Sequence, residues 1–223
     1  MRSPQIIYED SEIIVCHKPA GMATQTKRLG QQDMDSYLKN YRASKNEPPY
    51  IGIVHRLDQP VEGVMVFAKN KEAAADLSKQ VQERIIGKHY YAVCLDNSKS
   101  DLQSGDKARV EDYMLIDKKN NVSRIVLSDT PHAKKAVLDY EVIRKEHNKM
   151  FFEITLHTGR QHQIRLQLSN IGYPIIGDIK YGGIPNNQLM LCSYKLEIEH
   201  PKNHKRMEFK IACRFLDKLK ILE

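Results

Sequence analysis

The chain has 223 residues, of which 41% are hydrophobic and 28% are charged, and its formal net charge is +7 with neutral histidines. This composition excludes a disordered polyampholyte, and no apolar run approaches the roughly 18 residues that a membrane-spanning helix needs. The first twenty residues also lack the apolar stretch of a signal peptide. We therefore predict a cytoplasmic, monomeric protein without membrane insertion, and at roughly 150 residues per domain we predict one domain spanning 1–223.

The first part of the chain contains a predicted hairpin and two predicted helices. Two β-rich runs flank Glu9–Ser11 and predict the hairpin, and residues 33–42 predict a short helix. Asn70 is placed to cap a second helix, which Gly87 would end in a left-handed turn. The apolar side chains that we expect on one face of this second helix are Ala74, Leu77, Val81 and Ile85.

In the second part of the chain, the sequence from Tyr90 to about Thr158 mostly predicts β-strands. The stretch Thr158–Arg165 opens a third helix, with Ile164, Leu168 and Ile171 on its apolar face and Gly172 and Pro174 at its end. Another strand pair is predicted around His200 and Pro201. Because strands outnumber helices and short turns join most of them, we predict an α+β fold with a large, mostly antiparallel central sheet and flanking helices.

The four cysteines predict buried thiols rather than disulfides. None forms a C-x-x-C pair, and Cys16, Cys94 and Cys213 lie in apolar, strand-like text, with Cys192 as the fourth. Reduced thiols are typical of a cytosolic protein.

Residues 53–60 contain the densest group of polar residues between apolar segments. They are followed by the predicted strand from Gly63 to Lys69. His55, Arg56 and Asp58 would lie on a short loop before a buried strand. Functional residues are often on such loops, because a rigid scaffold positions them. A surface ion pair with a cap is an equally plain interpretation of the same residues.

A second polar stretch, His157–Arg165, contains candidate anion-binding residues. Gly159 permits a tight turn, and the free N–H groups of a helix start can hold a phosphate beside Arg160. Arg165 would lie at the boundary of the buried helix face, where an arginine normally needs a carboxylate partner. We predict a pairing of Arg165 with Asp58.

Metal and nucleotide cofactors find no support in the sequence. Two pairs of histidines are close together in the sequence, namely His157 with His162 and His200 with His204. Neither pair belongs to the motif H-E-x-x-H, and neither has an acidic cluster beside it. The glycine-rich motifs of dinucleotide and triphosphate sites and the serine-hydrolase motif G-x-S-x-G are also absent. We predict no cofactor and no metal.

Six segments in this order resemble the RluA-type family of RNA pseudouridine synthases. They extend over most of the chain, from about Ile6 to Phe215. The HRLD text by itself is moderately specific, and its combination with TGRxHQIR and GxPxxGDxxYG makes the resemblance strong. The segments are KPAG at Lys18–Gly21, GIVHRLDQPVEGVMVFAK at Gly52–Lys69, GKHYYAV at Gly87–Val93, HTGRQHQIR at His157–Arg165, GYPIIGDIKYG at Gly172–Gly182 and LCSYKLEIEHP at Leu191–Pro201.

The resemblance implies an isomerase that converts uridine in structured RNA, either rRNA or tRNA, to pseudouridine, with an active cleft across the sheet. Asp58 matches the family's catalytic aspartate, Tyr90 the tyrosine that packs against the base, and Arg165 the arginine that pairs with the aspartate. Arg56 matches the arginine that fills the gap left by the flipped nucleotide. The residues that we expect to bind RNA are Arg56, His55, Arg160, His162 and Gln163.

The sequence departs from the family pattern beside Asp58. Many members have Thr-Ser where Val61 and Glu62 stand, and we expect Glu62 to be a surface residue. Histidines are common at the positions of Gln167 and Tyr173. We expect no separate N-terminal RNA-binding module, so that substrate choice would depend on the surface of the domain itself. An inactive RNA-binding protein of the same fold and a metal-dependent phosphodiesterase are the alternative functions.

Overall fold

A computed structural model describes residues 3–26, 28, 30–96 and 102–217. Its strands are β1 (Gln5–Glu9), β2 (Ile13–Lys18), β3 (Gly52–Ile53), β4 (Glu62–Ala68), β5 (Gly87–Leu95), β6 (Lys107–Asp117), β7 (Val122–Val126), β8 (Lys134–Glu146), β9 (Lys149–Leu156), β10 (Leu191–Glu199) and β11 (Arg206–Lys210). The helices are α1 (Met34–Ser44), α2 (Lys71–Gln82), α3 (Gln163–Asn170) and α4 (Arg214–Asp217), with a short 3-10 helix at Ile179–Tyr181. This content confirms the predicted α+β class.

The chain folds as two compact units. The first comprises residues 1–87 and 193–223, and the second comprises residues 88–192. The interpretation of 1–223 as one domain stays a prediction. None of the helices in the described ranges has the length and hydropathy of a membrane-spanning segment.

The sheet of the first unit has the strand order β1-β2-β4-β10, with β3 paired to β4 and β11 paired to β10. Strand β2 is antiparallel to both of its neighbours, and it is buried along its whole length. Helix α2 contributes Leu77, which is completely buried, to the core on one side of this sheet. The other core residues include Ile13, Val15, Val64, Val66, Leu196 and Ile198.

Side-chain caps begin the local elements of the first unit. The Asp10 carboxylate accepts hydrogen bonds from the backbone N–H groups of Glu12 (2.7 Å) and Ile13 (2.9 Å), which forms the turn of the predicted β1–β2 hairpin. Asp33 and Ser36 form a reciprocal capping box at the start of α1. The hairpin and the helix predicted at 33–42 are therefore confirmed.

Helix α2 begins as predicted but ends earlier. Asn70 Oδ1 accepts a hydrogen bond from Ala73 N at 2.7 Å. The prediction that Gly87 ends the helix is wrong, because the helix ends at Gln82 and Arg84 adopts the left-handed conformation with φ of 61°. Gly87 is instead the first residue of β5.

The second unit contains the strands β5-β9-β8-β6-β7 in that order, and each strand is antiparallel to its neighbours in this order. Its core contains an edge-to-face contact between Phe152 and Tyr173, with ring centroids 5.3 Å apart. Helix α3 buries Ile164 and Leu168, and Gly172, in the left-handed conformation with φ of 94°, follows it as predicted. A left-handed residue there favours glycine because other side chains are strained.

All four cysteines are buried free thiols, as predicted. The strand expected around Cys213 is wrong, because Cys213 lies between β11 and α4, whereas Cys192 lies in β10. Burial raises the pKa of the Cys16 thiol to about 12, so that this group stays protonated at neutral pH.

Candidate active site

The loop that carries Asp58 lies between β3 and β4 and is fastened on both sides of the aspartate. On one side, Leu57 N donates to Thr24 Oγ1 (3.2 Å), and this hydroxyl donates to Leu57 O (3.1 Å). On the other side, Gly21 N donates to Gln59 O (2.9 Å), and Gln59 Nε2 donates to Gly21 O (3.0 Å). The backbone position of Asp58 is therefore defined by the segment that contains KPAG.

The other two polar residues of this loop differ in exposure and in contacts. Arg56 is exposed, while His55 and Asp58 are partly buried. His55 Nε2 accepts a hydrogen bond from the backbone N–H of Val66 in β4 at 3.1 Å. Only a ring nitrogen without a proton can accept a hydrogen bond, so Nε2 of His55 is unprotonated. Through this bond His55 holds the loop against strand β4.

Lys18 is a residue of this site that the sequence analysis did not single out. It lies at the end of β2 and is completely buried. Its Nζ donates to the backbone carbonyls of Pro19 (3.2 Å), Met22 (2.7 Å) and Gln59 (3.2 Å). The three donors of one ammonium group thus connect the KPAG segment with the residue that follows Asp58. Its place in the KPAG motif was the available sequence signal.

The environment of Lys18 changes its protonation. Burial lowers the pKa of Lys18 to about 7 from an ordinary value of 10.5, because desolvation disfavours the charged form. The negative charges of Asp58 and Glu62 oppose this effect and raise the pKa. The charge of the buried Lys18 therefore depends on pH near neutrality.

The expectation that Glu62 is a surface residue is wrong. Its side chain is only 3% exposed, because Glu62 begins β4, which lies between β2 and β10. Glu62 Oε2 is 3.8 Å from Nε2 of the buried His17. Within the described residues, neither His17 Nε2 nor Glu62 Oε1 has a hydrogen-bond partner. The presence of Glu62, where many family members have a serine, thus places a carboxylate in the protein interior and not at the surface.

Glycine follows Glu62 because of a close strand contact. A Cβ atom on Gly63 would overlap the Cβ and backbone of Ser193 in β10. A side chain at this position would push the two strands apart, so the close packing of β4 against β10 requires glycine.

We expect Glu62→Gln to lower the pKa of Lys18 below the wild-type value of about 7. The substitution removes a negative charge that stabilises the ammonium form and leaves the burial unchanged. Between pH 7 and 10.5 the unfolded chain holds the Lys18 proton and the folded chain does not, so the free energy of unfolding rises with pH in this window. In the Glu62→Gln variant, the pH range in which the free energy of unfolding rises should therefore begin below pH 7.

This pKa can be measured by following the lysine side-chain NMR signals during a pH titration. Glu72→Gln is the control, because Glu72 is exposed in the first turn of α2 and should leave the midpoint of Lys18 unchanged. A wild-type midpoint near 10.5, or equal midpoints in wild type and Glu62→Gln, would contradict the proposed coupling.

Arg165 in the second unit forms a buried ion pair with Asp178. Arg165 Nε and Nη2 donate to the two carboxylate oxygens of Asp178, each at 2.7 Å. The side chains are 8% and 1% exposed. Sequence reasoning correctly predicted a carboxylate partner for a buried arginine but did not identify Asp178, which belongs to the GDxxYG motif. The pairing of Arg165 with Asp58 stays a prediction.

Tyr181 connects Arg165 with His162. The Arg165 guanidinium carbon lies 5.3 Å from the centroid of the Tyr181 ring, a cation–π distance. The Tyr181 hydroxyl accepts from Ser123 N at 2.8 Å and is hydrogen-bonded to His162 Nδ1 at 2.8 Å. His162 is buried and has left-handed backbone with φ of 55°, so these contacts position the start of α3.

Gln163 is buried and its amide is used within the protein. Its Oε1 accepts from Thr158 Oγ1 (2.8 Å) and Arg160 N (3.0 Å), and its Nε2 donates to Val137 O (3.1 Å) and Gln167 Oε1 (2.9 Å). These four bonds hold the turn before α3. They favour a supporting role over the RNA contact that we predicted for Gln163, which stays a prediction.

Tyr90 and Arg160 are placed by the sheet of the second unit. Tyr90 lies in β5 opposite Ile154 of β9 and is 6% exposed. Arg160 is partly exposed, and its Nε donates to the carbonyl of Lys135 in β8 at 3.0 Å. This hydrogen bond orients the guanidinium group of Arg160.

The side chains of His157 and His200 are hydrogen-bonded to carboxylates. His157 Nε2 is 2.7 Å from Asp139, and His200 Nε2 is 2.9 Å from Asp10. In the part of the chain that the structure describes, no three His, Cys, Asp or Glu side chains form a group that could hold a metal ion.

A comparison with protein families matches residues 12–170 to the family described as RNA pseudouridylate synthase. The matched region contains the Asp58 loop, Tyr90 and α3 with Arg165. The chain belongs to the RNA pseudouridylate synthase family, a family of RNA-modifying isomerases, which confirms the resemblance found in the sequence.

Curated relatives are similar over most of this chain. The dual-specificity RNA pseudouridine synthase RluA of Vibrio vulnificus is 30% identical over 220 residues, which cover 95% of this chain and 84% of the relative. The ribosomal large subunit pseudouridine synthase D of Borreliella burgdorferi is 33% identical over 211 residues, 89% of this chain. The chain spans only 62% of the length of that second relative.

A solved structure supports the fold. Human RNA pseudouridylate synthase domain containing 4 superposes with a TM-score of 0.76 at 22% identity, covering 98% of this chain and 92% of that one. At this identity the similarity establishes the shared fold alone.

Proposed function

We propose that the protein isomerises uridine in RNA to pseudouridine, with Asp58, Tyr90 and Arg165 as catalytic residues. The observation that carries this proposal is the Asp58 loop. It lies within the family match and is fastened on both sides by the segment Gly21–Thr24. A reacting carboxylate has to be held in position, and such a backbone supplies that support.

The reaction needs a carboxylate and no redox step. The N1–C1′ bond breaks, the uracil turns and C5 bonds to C1′. C5 then loses its proton to a base and N1 gains a proton, so that the product is an isomer of the substrate. Asp58 would attack C1′ or C6, or would take the C2′ proton, and each route needs its ionised form. Arg165, predicted to contact Asp58, would keep that form stable.

Tyr90 would provide the surface on which the base is held. Its ring offers an aromatic face to the uracil, and its hydroxyl would lie near C5, from which a proton leaves after rotation. A base stacked in a helix cannot react, so it has to be flipped out at a cost of a few kcal/mol. The exposed Arg56 would occupy the resulting gap.

Structured RNA, either rRNA or tRNA, is the proposed substrate. The names of the relatives support this class, because one is a dual-specificity enzyme and another acts on the ribosomal large subunit. Arg56 and Arg160 retain exposure and would contact phosphates. His55, His162 and Gln163 would act near the RNA mainly by holding the two loops in place.

Tritium release tests this function. RNA containing uridine labelled with tritium at C5 is incubated with the enzyme, because isomerisation frees that hydrogen to water. We expect release that is insensitive to EDTA. RNA binding without release would indicate the inactive RNA-binding alternative, and strand cleavage that EDTA stops would indicate a phosphodiesterase.

A further inference from the structure

Lys88 lies in an unusual electrostatic environment near the start of β5. It is partly buried, and within the described residues its ammonium group has no hydrogen-bond or ion-pair partner. Burial and the positive charge of Arg160 both lower the pKa of Lys88. Partial burial and a neighbouring cation both disfavour the ammonium form of Lys88, and an anion bound beside it would stabilise that form.

Gly159 leaves open space beside this ammonium group. An ideal Cβ on Gly159 would lie 3.6 Å from Lys88 Nζ, and no other described atom outside its chain neighbours lies within 4 Å of that position. Arg160 follows directly, and the bond from its Nε to Lys135 O orients its guanidinium. Gly159 is exposed to solvent, so an anion could reach Lys88 and Arg160 over this residue.

Two carboxylates of the second unit that lie in or beside the strands next to β9 have partners of their own. The carboxylate of Asp139 is bound by Arg109 at 2.7 Å and by His157 at 2.7 Å. Glu111 is bound by Lys135 at 2.7 Å. Within the described residues, no carboxylate forms an ion pair with Lys88.

The strand geometry relates Lys88 to Tyr90. Residues i and i+2 of a strand point to the same face and are roughly 6.6 Å apart. One nucleotide step in RNA covers a similar distance between its base and its phosphate. A uracil that packs on Tyr90 would thus place a neighbouring phosphate at the level of Lys88.

We propose that Lys88 and Arg160, over the open surface of Gly159, form a binding site for an RNA backbone phosphate beside the nucleotide held by Tyr90. This inference rests on the proposed function for the identity of the ligand. Two cations around one phosphate bind it by charge-assisted hydrogen bonds, independently of the base sequence.

The test measures the binding of a twelve-residue oligouridine at several salt concentrations. We expect Lys88→Met to weaken binding about tenfold, as loss of one charged hydrogen bond does. The slope of log K against log salt should become shallower by about 0.7, the value for one phosphate contact to a single strand. Lys88→Arg should keep most of the affinity and the slope, and Arg160→Met should resemble Lys88→Met.

Lys107→Met is the matched control in the same unit. Lys107 is exposed and pairs with Glu141, so its loss should leave the slope unchanged. Unchanged slopes in both Lys88→Met and Arg160→Met, or an equal change in Lys107→Met, would overturn the proposal. This assay needs no turnover. If the slope becomes shallower in Lys88→Met and Arg160→Met but the wild-type protein releases no tritium, the phosphate site is retained and the proposed function is rejected.

Discussion

Asp58→Asn is expected to remove tritium release almost completely, by at least ~10²–10⁴-fold, the contribution of a positioned acid–base group. The amide is nearly isosteric with the carboxylate but cannot act as a nucleophile or as a comparable base. The hydrogen bonds that fasten Leu57 and Gln59 involve backbone and other side chains, so the loop should persist. RNA affinity should therefore fall much less than the rate.

The measurement combines single-turnover tritium release with RNA binding and thermal unfolding. Asp129→Asn is the matched control, because Asp129 is exposed and the same chemical change there should leave the rate unaltered. Release by Asp58→Asn within tenfold of wild type would show that another group performs the chemistry.

Asp178→Asn is expected to destabilise the protein by about 3–5 kcal/mol, the usual cost of removing one member of a buried ion pair. The Arg165 guanidinium would stay buried with no compensating charge from Asp178, whose carboxylate binds it through two bonds of 2.7 Å. Its orientation over Tyr181 would be weakened as well, so activity should fall together with stability.

An exposed arginine–aspartate pair in the same unit provides the control. Arg109 also binds Asp139 through two bonds, of 2.7 and 3.0 Å, but the side chains are 57% and 39% exposed. Asp139→Asn should cost about 0–1 kcal/mol, because solvent screens exposed pairs. The free energies of unfolding in urea compare the two variants. Equal losses would mean that burial does not govern the strength of the Arg165–Asp178 pair.

Local signals in the sequence correctly predicted the elements that short-range contacts form. The side chains of Asp10, Asp33 and Asn70 accept hydrogen bonds from backbone N–H groups only two or three residues away. Because these contacts are local, the sequence predicts the hairpin and the starts of the two helices. The HRLD and HTGRQHQIR motifs likewise identified the family, because each motif is a short run of consecutive residues.

Contacts between distant segments decided the rest. Glu62 resembles a surface residue in the sequence, and it is buried because β2 and β10 flank β4. Lys18 became a site residue through the carbonyl of Gln59, 41 positions away, and burial lowers its pKa to about 7. The sequence by itself determined the class of fold, the family and the aspartate loop. Only the tertiary structure decided which charges are buried and paired, because desolvation depends on which strands and loops cover a side chain.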